Sequence, residues 1–240
     1  MAGNRDEAHE RPTSALARWE DWPMVLAGRD LRSGGTWAGV STQGRMAVVT
    51  NVRDPRIVMP GAPSRGQLPV EFLAGAEPAA AAAARIQRRA SGFAPFNLVL
   101  ADGEDAVYVS NHPLPRRQPL APGVHGLSNG DLDEPWPKTR RLSETMSRWM
   151  ASGADEVDML WRALADDRLA ADTELPDTGV GPERERLLSA AFIRNPIYGT
   201  RASTIIALDA AGRGWISERR FGPDGGLLGE TTLAVAGSRR

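Results

Sequence analysis

The 240-residue chain contains no cysteine. This absence excludes disulfide bonds, cysteine metal sites and a cysteine nucleophile from the residues given. Lysine is almost as rare, since Lys138 is the only lysine beside 28 arginines. This imbalance, together with abundant alanine, glycine and proline, indicates a GC-rich bacterial genome rather than a functional arginine surface.

Long apolar runs are also missing from the sequence. No segment approaches the ~20 apolar residues that a membrane-spanning helix requires. The N-terminal segment is charged and lacks the apolar core of a secretory signal. We therefore predict a cytoplasmic protein without a transmembrane segment. A net charge of −1 predicts no general attraction to nucleic acid or to anionic membranes.

The chain does contain enough apolar material for one packed core. Hydrophobic residues make up 41% of it, and seven residues are tryptophan. Nothing at this length requires a second domain, so we predict a single domain over residues 1–240. Its last part, residues 222–240, is predicted to be a C-terminal strand and tail.

Apolar periodicity predicts many short strands and two pairs of helices. The predicted strands lie near Met24–Ala27, Thr36–Val40, Met46–Asn51, Phe96–Leu100, Ala106–Asn111, Val124–Leu127, Ser203–Leu208, Gly214–Glu218 and Thr231–Val235. The predicted helices are Leu68–Ala74, Glu77–Ala90 with a break at Pro78, Thr139–Ala151 and Asp155–Ala165. This order, without regular βα alternation, favours a layered α+β domain. The proline- and glycine-rich segment Asp172–Pro182 is predicted to be a loop or lid.

Common catalytic motifs fail on inspection. The segment Gly126–Gly130 matches the G-x-S-x-G nucleophile elbow, but every histidine of the chain precedes Ser128, and the residues after it cannot form the required helix. The histidines show no metal-ligand spacing, and no phosphate-binding glycine loop is present. No metal site is predicted, and His125, on a predicted strand, is interpreted as a structural histidine.

Five polar segments remain, each beside a predicted turn or strand end. They are Asn4–Glu7, Gly28–Asp30, Asn51–Arg53, Ser128–Asp133 and Gly199–Arg201. Each alone is typical of a surface ion pair or a turn cap. Together, in this order, they predict one cleft. The candidate ligand-binding residues are Asn4, Arg5, Asp6, Arg29, Asp30, Asn51, Arg53, Asn129 and Arg201.

These segments resemble the NRDE family, also called the transport-and-Golgi-organisation family, over roughly residues 3 to 220. The matching motifs are Asn4-Arg5-Asp6-Glu7, Gly28-Arg29-Asp30-Leu31, Gly34-Gly35-Thr36-Trp37, Thr50-Asn51-Val52-Arg53, Ser64-Arg65-Gly66, Phe96-Asn97-Leu98, Gly126-Leu127-Ser128-Asn129, Leu132-Asp133, Pro135-Trp136-Pro137-Lys138, Tyr198-Gly199-Thr200-Arg201 and Ser203-Thr204. The resemblance implies a four-layer αββα sandwich like that of the N-terminal-nucleophile hydrolases.

The same resemblance implies a mechanistic analogy with choloylglycine hydrolases, amidases whose cysteine nucleophile follows the initiator methionine. By motif order, Arg5 and Asp6 resemble their early Arg and Asp, Asn51 and Asn129 their oxyanion-side asparagines, and Arg201 their late arginine. Proteins of the NRDE family usually begin with a Met-Cys strand before the tetrapeptide. We expect that Met1 is an internal residue of a longer chain whose first strand is missing here; otherwise the chain is a variant without a nucleophile.

Two functions stay open at this point. The resemblance implies haem trafficking or lipid homeostasis, so the first hypothesis is a protein that binds an amphipathic small molecule such as haem or an acyl thioester. Haem as cargo has possible axial ligands in His9, His112, His125 and Tyr198. Arginines such as Arg5 and Arg201 would pair with its propionates. The second hypothesis is an amide hydrolase that needs an upstream cysteine.

Overall fold

The computed structural model describes residues 1–237 as four layers of helices and antiparallel sheets. The strands are β1 (Ala2–Ala8), β2 (Thr13–Arg18), β3 (Val25–Asp30), β4 (Ala38–Ser41), β5 (Met46–Asn51), β6 (Phe96–Ala101), β7 (Ala106–Ser110), β8 (Arg116–Pro119), β9 (Tyr198–Leu208), β10 (Gly214–Phe221) and β11 (Leu227–Val235). The helices are α1 (Gln67–Ala74), α2 (Ala79–Arg89), α3 (Pro137–Ser152), α4 (Asp158–Leu164) and α5 (Pro182–Leu187). Residues 238–240 of the predicted C-terminal tail lie outside the described residues.

The two sheets differ in how their strands follow the chain. The larger sheet runs β2-β3-β4-β5-β6-β7-β8 in sequence order, so each strand pairs with the next by a local connection. The smaller sheet runs β1-β9-β10-β11 and joins the two ends of the described chain. Where β1 meets β9, the register passes from Arg5 opposite Ala202 to Asp6 opposite Thr200. Arg201 is therefore an extra residue in β9, a β-bulge that redirects its side chain.

Three apolar clusters bind the layers together. Helices α1 and α2 cover the outer face of the larger sheet, where Phe72 and Ile86 are buried with Leu98. A second cluster, which includes Leu16 and Ile206, lies between the sheets. The third joins α3 and α4 to the outer face of the smaller sheet; its buried members are Leu160, Trp161, Leu164 and Ile205. This order of layers is the αββα sandwich that the family resemblance implies, and each fully buried aliphatic or aromatic side chain contributes roughly 1.5–3 kcal/mol to its stability.

Helix α2 shows why a run of alanines folds here. Ala79, Ala82 and Ala83 are fully buried with Ile86, so small side chains let the helix approach the sheet closely. The helix begins immediately after Pro78, as the break in the predicted helix indicates. Within residues 1–237, no helix combines the length and apolar character needed to cross a membrane.

The predicted strand Val124–Leu127 is wrong. This segment is a loop whose Gly126 N–H donates to Asp133 Oδ1 at 2.7 Å, and it pairs with no strand. His125, interpreted from the sequence as a strand residue, lies in this loop and hydrogen-bonds to Asp133. The predicted lid Asp172–Pro182 contains a 3₁₀ turn at Asp172–Glu174 and ends where α5 begins.

The polar tetrapeptide Asn4–Glu7 lies inside β1 rather than at a turn. Successive side chains of a strand point to opposite faces. Asn4 and Asp6 point toward the helical layer of α3 and α4, where Asn4 Nδ2 donates to Leu164 O at 2.8 Å. Arg5 and Glu7 point toward the larger sheet. One strand thus supplies polar groups to two separate environments.

Candidate functional site

A compact ion cluster lies between the two sheets. We call Arg5, Glu7, Arg11 and Asp30 the inter-sheet cluster. Arg5 Nη2 lies 3.1 Å from Asp30 Oδ2 and 3.8 Å from Glu7 Oε2. Arg11 binds Asp30 through Nε, and its Nη2 donates to Asp30 Oδ1 at 3.2 Å. The Arg5 guanidinium also lies over the Trp37 ring, 4.5 Å from its centroid.

Asp30 is the centre of this cluster. Burial opposes ionisation of its carboxyl, but hydrogen bonds from Arg11 and Ser33 outweigh that effect and hold the pKa of Asp30 below its ordinary value. Ser33 donates to it from both its backbone N–H and its hydroxyl. The cluster therefore holds the ionised Asp30 carboxylate between buried or partly buried arginines, and such groups are expected to stabilise the fold only as a set.

Glu218 is a second buried carboxyl between the sheets. It lies on β10, is 2% exposed, and accepts the Leu16 N–H at 2.9 Å. Burial raises the pKa of Glu218 to about 7, against smaller opposing effects of that hydrogen bond and of Arg220 and Arg5. Gly28 makes room for this arrangement, because a Cβ there would lie 2.4 Å from the Trp37 ring and 2.9 Å from Glu218 Oε2.

On the other face of β1, Asp6 lies among ionisable groups of the helical layer. Its Oδ1 accepts the Thr200 hydroxyl at 2.6 Å, and its carbonyl accepts the Tyr198 hydroxyl at 3.2 Å. Burial raises the pKa of Asp6 and lowers the pKa of Lys138, while the attraction between their opposite charges reduces both shifts. Lys138, the only lysine of the chain, therefore lies at the start of α3, close enough to Asp6 for the charge of Asp6 to affect its pKa.

Arg53 connects this region to the predicted lid. Its Nη1 donates to Glu185 Oε2 at 2.6 Å, and Glu185 is 3% exposed. The other Glu185 oxygen accepts the backbone N–H and the hydroxyl of Thr178. The Arg53 guanidinium lies 5.0 Å from the centroid of the Trp136 ring. Arg53 thereby holds α5 and the lid segment over the end of β5, beside a cavity of about 10 Å³, which has room for a single water molecule.

The segment around Asn129 is held by the ends of β5 and β6. Asn129 Nδ2 donates to Asn51 O at 2.9 Å, and the Arg53 N–H donates to Asn129 O at 2.7 Å. A buried chain supports it, in which Tyr108 donates to Asn97 Oδ1, and Asn97 Nδ2 donates to Gly130 O at 2.7 Å. The sequence analysis matched Asn97 as part of a motif but assigned it no role, because its bond to Tyr108 is a side-chain contact that forms only once β6 pairs with β7.

Six of the nine predicted ligand-binding residues lie in these polar groups at one end of the sandwich. Arg5 and Asp30 form the inter-sheet cluster with Arg11, and Asp6, Arg53, Asn51 and Asn129 lie on its flank. The groups are electrostatically connected, since Asp6, Arg53 and Arg5 all act on the pKa of Tyr198, which burial raises. Nearly all of the polar groups there hydrogen-bond to other groups of the protein. Three buried donors, Arg5 Nη1, Trp37 Nε1 and Trp136 Nε1, have no partner among the described residues.

Of the other three predicted residues, Asn4 and Arg29 do not converge on this region, whereas Arg201 lies beside the inter-sheet cluster, where its charge acts on the pKa of Arg5. Asn4 Nδ2 donates to the carbonyl oxygens of Leu164 and Ala191, so Asn4 connects the smaller sheet to the helical layer. Arg29 points to the opposite face of β3, where it pairs with Asp21 and lies over the Trp19 ring. Arg201 Nη1 donates to three carbonyl oxygens of the turn between β1 and β2, at 3.0–3.2 Å.

A much larger cleft lies in the outer helical layer, which the sequence analysis did not single out. We call it the helical cleft; it lies between α3 and α4 and has a volume of about 610 Å³. Its lining residues are Lys138, Arg141, Leu142, Glu144, Thr145, Arg148, Met159, Arg162, Ala163, Asp166, Arg168 and Ala191. Five of these are cations and two are carboxylates. The signal was present in α3, where Arg141, Thr145 and Arg148 follow helical spacing.

The cations of the helical cleft are unequally paired. Asp166 lies within 3.2 Å of Arg141 and within 2.8 Å of Arg168, so it neutralises much of their charge. Arg148 and Arg162 have no carboxylate oxygen within 4.0 Å in residues 1–237. Lys138 Nζ donates to Leu188 O at 2.9 Å at the inner end of the cleft. The histidines lie elsewhere, and the described residues contain no group of three metal-ligating side chains.

Known proteins of similar sequence cover almost the whole chain. The sequence model of the family described as Transport and Golgi organisation 2 matches residues 1–223. The bovine Transport and Golgi organization protein 2 homolog is 34% identical over 239 residues, covering 91% of this chain and 85% of the bovine protein. The human protein of that name is 33% identical over 238 residues, with the same coverage of both chains.

A solved structure is similar in fold. Penicillin V acylase from Agrobacterium tumefaciens, an N-terminal-nucleophile hydrolase, aligns with a TM-score of 0.50 over 92% of this chain and 78% of the acylase. The sequences are only 11% identical. This likeness confirms the predicted fold class, the αββα sandwich of N-terminal-nucleophile hydrolases, and it does not extend to the reaction.

Proposed function

The chain belongs to the Transport and Golgi organisation 2 family, and from that premise we propose that it binds an amphipathic small molecule, an acyl thioester or haem, in the helical cleft. The observation that carries the proposal is the cleft itself, about 610 Å³ between α3 and α4. Small-molecule pockets in proteins span about 300–1,000 Å³. The volume therefore suits one ligand of that class.

The lining of the helical cleft supports an amphipathic, anionic ligand. Leu142, Met159 and Ala163 offer apolar surface from both helices. The excess of cations over carboxylates offers attraction to a negatively charged group. A purely apolar molecule would leave these cations without a partner, and a small inorganic anion would leave the apolar surface uncovered.

The cleft distinguishes between the two named ligands. Of the residue types that ligate haem iron, its lining includes only Met159, which is 36% exposed. His9, His112 and His125 bond to Asn195, Asp54 and Asp133 at other places in the fold. Arg201, expected from the sequence to meet a propionate, donates to backbone carbonyls. These contacts favour the acyl thioester over haem.

The site proposed here differs from the one expected from the sequence. Arg5, Asp6 and Arg53 are bonded to Asp30, Thr200 and Glu185, respectively. The cavity beside Arg53 measures only about 10 Å³. A ligand there would have to displace ion pairs that hold β1, β3 and α5. The helical cleft requires no such rearrangement, because two of its cations, Arg148 and Arg162, are not engaged in ion pairs within residues 1–237.

The test is a titration of the purified protein with dodecanoyl N-acetylcysteamine, a simple acyl thioester, and with haem. Ala163→Phe fills the cleft from α4 and is expected to weaken thioester binding at least ten-fold. Ala151→Phe, an exposed residue of α3 that does not line the cleft, is the matched control and should bind like the parent. Isothermal titration calorimetry gives the affinities, and absorbance near the haem Soret band follows haem.

Three outcomes separate the hypotheses. Binding that Ala163→Phe removes and Ala151→Phe retains supports the proposal. Binding that both variants retain places the ligand elsewhere and overturns it. Release of free dodecanoate from dodecanoyl-glycine during the incubation would favour the amide hydrolase instead, and would require a nucleophile other than cysteine in these residues.

A further inference from the structure

We propose that Lys138 is an acyl acceptor, whose Nζ attacks the carbonyl carbon of a thioester bound in the helical cleft and becomes an amide. This inference rests on the proposed function, since it assigns a reaction to the ligand proposed there. Lys138 lies at the inner end of the cleft, at the start of α3. It also lines the cavity of about 10 Å³ beside Arg53, and within residues 1–237 no other residue lines both spaces.

The Lys138 amine is poorly satisfied as an ammonium ion. Its Nζ donates to one acceptor, Leu188 O at 2.9 Å, and no carboxylate oxygen lies within 4.0 Å of it in the described chain. An ammonium group has three donors, so one neutral carbonyl leaves two of them without a partner among the described residues. A neutral amine instead has two hydrogens and a lone pair, and the lone pair is what an electrophilic carbonyl carbon requires.

The charges around Lys138 act on its pKa in both directions. Burial lowers the pKa, the charge of Asp6 counters this effect, Arg53 lowers the pKa further, and Glu185 raises it. Lys138 is also the second residue of α3, where the positive end of the helix dipole disfavours a cation. The net result is a pKa below the ordinary lysine value of 10.5. More of this amine is therefore neutral at pH 7.5 than in an exposed lysine.

The reaction needs no group beyond the amine and the thioester. The lone pair of Lys138 forms a C–N bond to the carbonyl carbon, and the C–S bond then breaks as the thiolate leaves. One proton passes from the nitrogen to the thiolate, so the products are a neutral amide and a free thiol. Lysines that act as nucleophiles in proteins are activated by desolvation or by a neighbouring cation. Lys138 has both, through its burial and through Arg53.

The amide product is compatible with the contacts of Lys138. It retains one N–H, which can still donate to Leu188 O. Its acyl chain extends from the inner end of the cleft past Leu142 on α3 and Ala163 on α4, both of which line the cleft. The amide is neutral, so acylation removes the cost of keeping a cation at this partly buried position.

The composition of the chain makes the acylated position easy to locate. Lys138 is the only lysine, so the α-amino group is the only other aliphatic amine of the chain given. Trypsin cleaves after Arg117 and Arg140, so acylation of Lys138 yields the peptide 118–140 with its internal lysine uncut. The chain has no cysteine, so a thiol reagent detects only the thiol that the thioester releases.

The experiment incubates the protein with dodecanoyl N-acetylcysteamine at pH 7.5 and follows thiol release, intact mass and the tryptic peptides. The parent is compared with Lys138→Arg, which keeps the positive charge, and with Lys138→Arg/Arg140→Lys. The double variant moves the only lysine by two residues to an exposed position outside the cleft lining, so its composition equals that of the parent. Ala163→Phe, which fills the cleft, tests whether the reaction takes place there. Circular dichroism verifies that each variant is folded.

We expect the parent to gain one dodecanoyl group at Lys138, at least ten-fold faster than the double variant gains one at position 140. Lys138→Arg should gain none within residues 118–140, and Ala163→Phe should react at least ten-fold more slowly than the parent. Equal rates in the parent and the double variant, or an undiminished rate in Ala163→Phe, overturn the acyl acceptor. Thioester binding by calorimetry without acylation also overturns it but leaves the proposed function standing. Neither binding nor acylation overturns both.

Discussion

The inter-sheet cluster and the helical cleft both concentrate arginine, but they differ in where the opposite charges come from. In the inter-sheet cluster, Asp30 and Glu7 neutralise Arg5 and Arg11 within 4.0 Å. In the helical cleft, Arg148 and Arg162 face open space. A protein with a net charge of −1 thus holds one closed and one open arginine site. The pairing of each arginine, rather than the composition, separates a stabilising role from a ligand-binding role.

The largest effect on stability is expected from removing a negative charge from the inter-sheet cluster. Asp30→Asn keeps the size of the side chain and most of its hydrogen bonds from Ser33, but removes the charge that Arg5 and Arg11 share. Breaking a buried ion pair by neutralising one partner costs roughly 3–5 kcal/mol, since the other charge stays buried. Urea unfolding followed by tryptophan fluorescence should show a loss of this size in the free energy of unfolding.

Asp21→Asn is the control for this variant. Asp21 pairs with Arg29 on the outer side of the same strand, where its side chain is 49% exposed. Loss of that pair should leave the urea midpoint nearly unchanged. If the Asp30→Asn protein is as stable as the Asp21→Asn protein, the ion pairs of the inter-sheet cluster contribute no more to stability than a surface ion pair does.

The next effect concerns the pH dependence of the closed region. Burial raises the pKa of Glu218 to about 7 from an ordinary value of 4.5. Between these values the folded state binds more protons than the unfolded state, so the contribution of Glu218 is fully present below pH 4.5 and is lost as the pH rises through 7. A difference of this size corresponds to about 3 kcal/mol.

Glu218→Gln isolates this contribution. The variant keeps an oxygen that accepts the Leu16 N–H but cannot ionise. The stability difference between the variant and the parent should therefore shift in the variant's favour by about 3 kcal/mol from pH 4.5 to pH 8. Unfolding curves at six pH values measure it. A difference that does not change with pH would show that Glu218 ionises in the folded protein as it does in water.

A variant of Arg201 tests whether this arginine has a structural role, like the arginines of the inter-sheet cluster, or a ligand-binding role, as proposed for the helical cleft. Its Nη1 donates to the carbonyls of Ala8, His9 and Arg11, so we expect a structural role for it. Arg201→Met keeps the apolar stem and should lower the free energy of unfolding by roughly 1–2 kcal/mol, because charged donors to backbone oxygens are lost. Thioester affinity should not change. Unchanged stability with weakened binding would restore the ligand-binding role that the sequence analysis predicts.

The sequence analysis predicted the strands that bury one face. Met46–Asn51 and Phe96–Leu100 are rich in apolar and β-branched residues, and both form neighbouring strands of the larger sheet. Strand β1 was not recognised, because both of its faces carry polar side chains whose partners are distant in the chain. Strand β8, Arg116–Pro119, has no apolar residue and exists by pairing with β7 at the edge of the sheet. The segment Val124–Leu127, which was wrongly predicted to be a strand, pairs with no neighbouring strand.

The site was predictable to a smaller extent. The resemblance to a family grouped Arg5, Asp30, Arg53 and Asn129 before any geometry, and the structure places them at one end of the sandwich. It could not show that their charges are satisfied internally, since pairing depends on side-chain contacts such as Arg53 with Glu185, 132 residues apart. The helical cleft was missed because a polar stripe on an amphipathic helix is usually a solvated face.

The smallest effect on stability is expected from removing an arginine of the helical cleft that has no ion pair within residues 1–237. Arg148→Gln removes one of two like charges that face the same cleft, while Glu144 and the apolar contacts of α3 stay in place. Like-charge pairs on a helical surface cost a few tenths of a kcal/mol, and salt screens them. Glu144 lies four residues before Arg148 on α3, and an opposite-charge pair at this spacing stabilises a helix by a similar few tenths of a kcal/mol. The two effects offset each other, so the variant should match the parent within about 0.3 kcal/mol at low ionic strength and at 1 M salt, where the Debye length is about 3 Å. Thermal unfolding of both proteins in 10 mM and 1 M sodium chloride measures the difference. The control is Arg140→Gln, which loses an ion pair to Glu174 and should therefore lose stability at low salt. A loss of stability in Arg148→Gln at low salt would mean that Arg148 is already paired in solution. The arginines of the helical cleft would then be paired like those of the inter-sheet cluster, and the basis for an anionic ligand in the cleft would be gone.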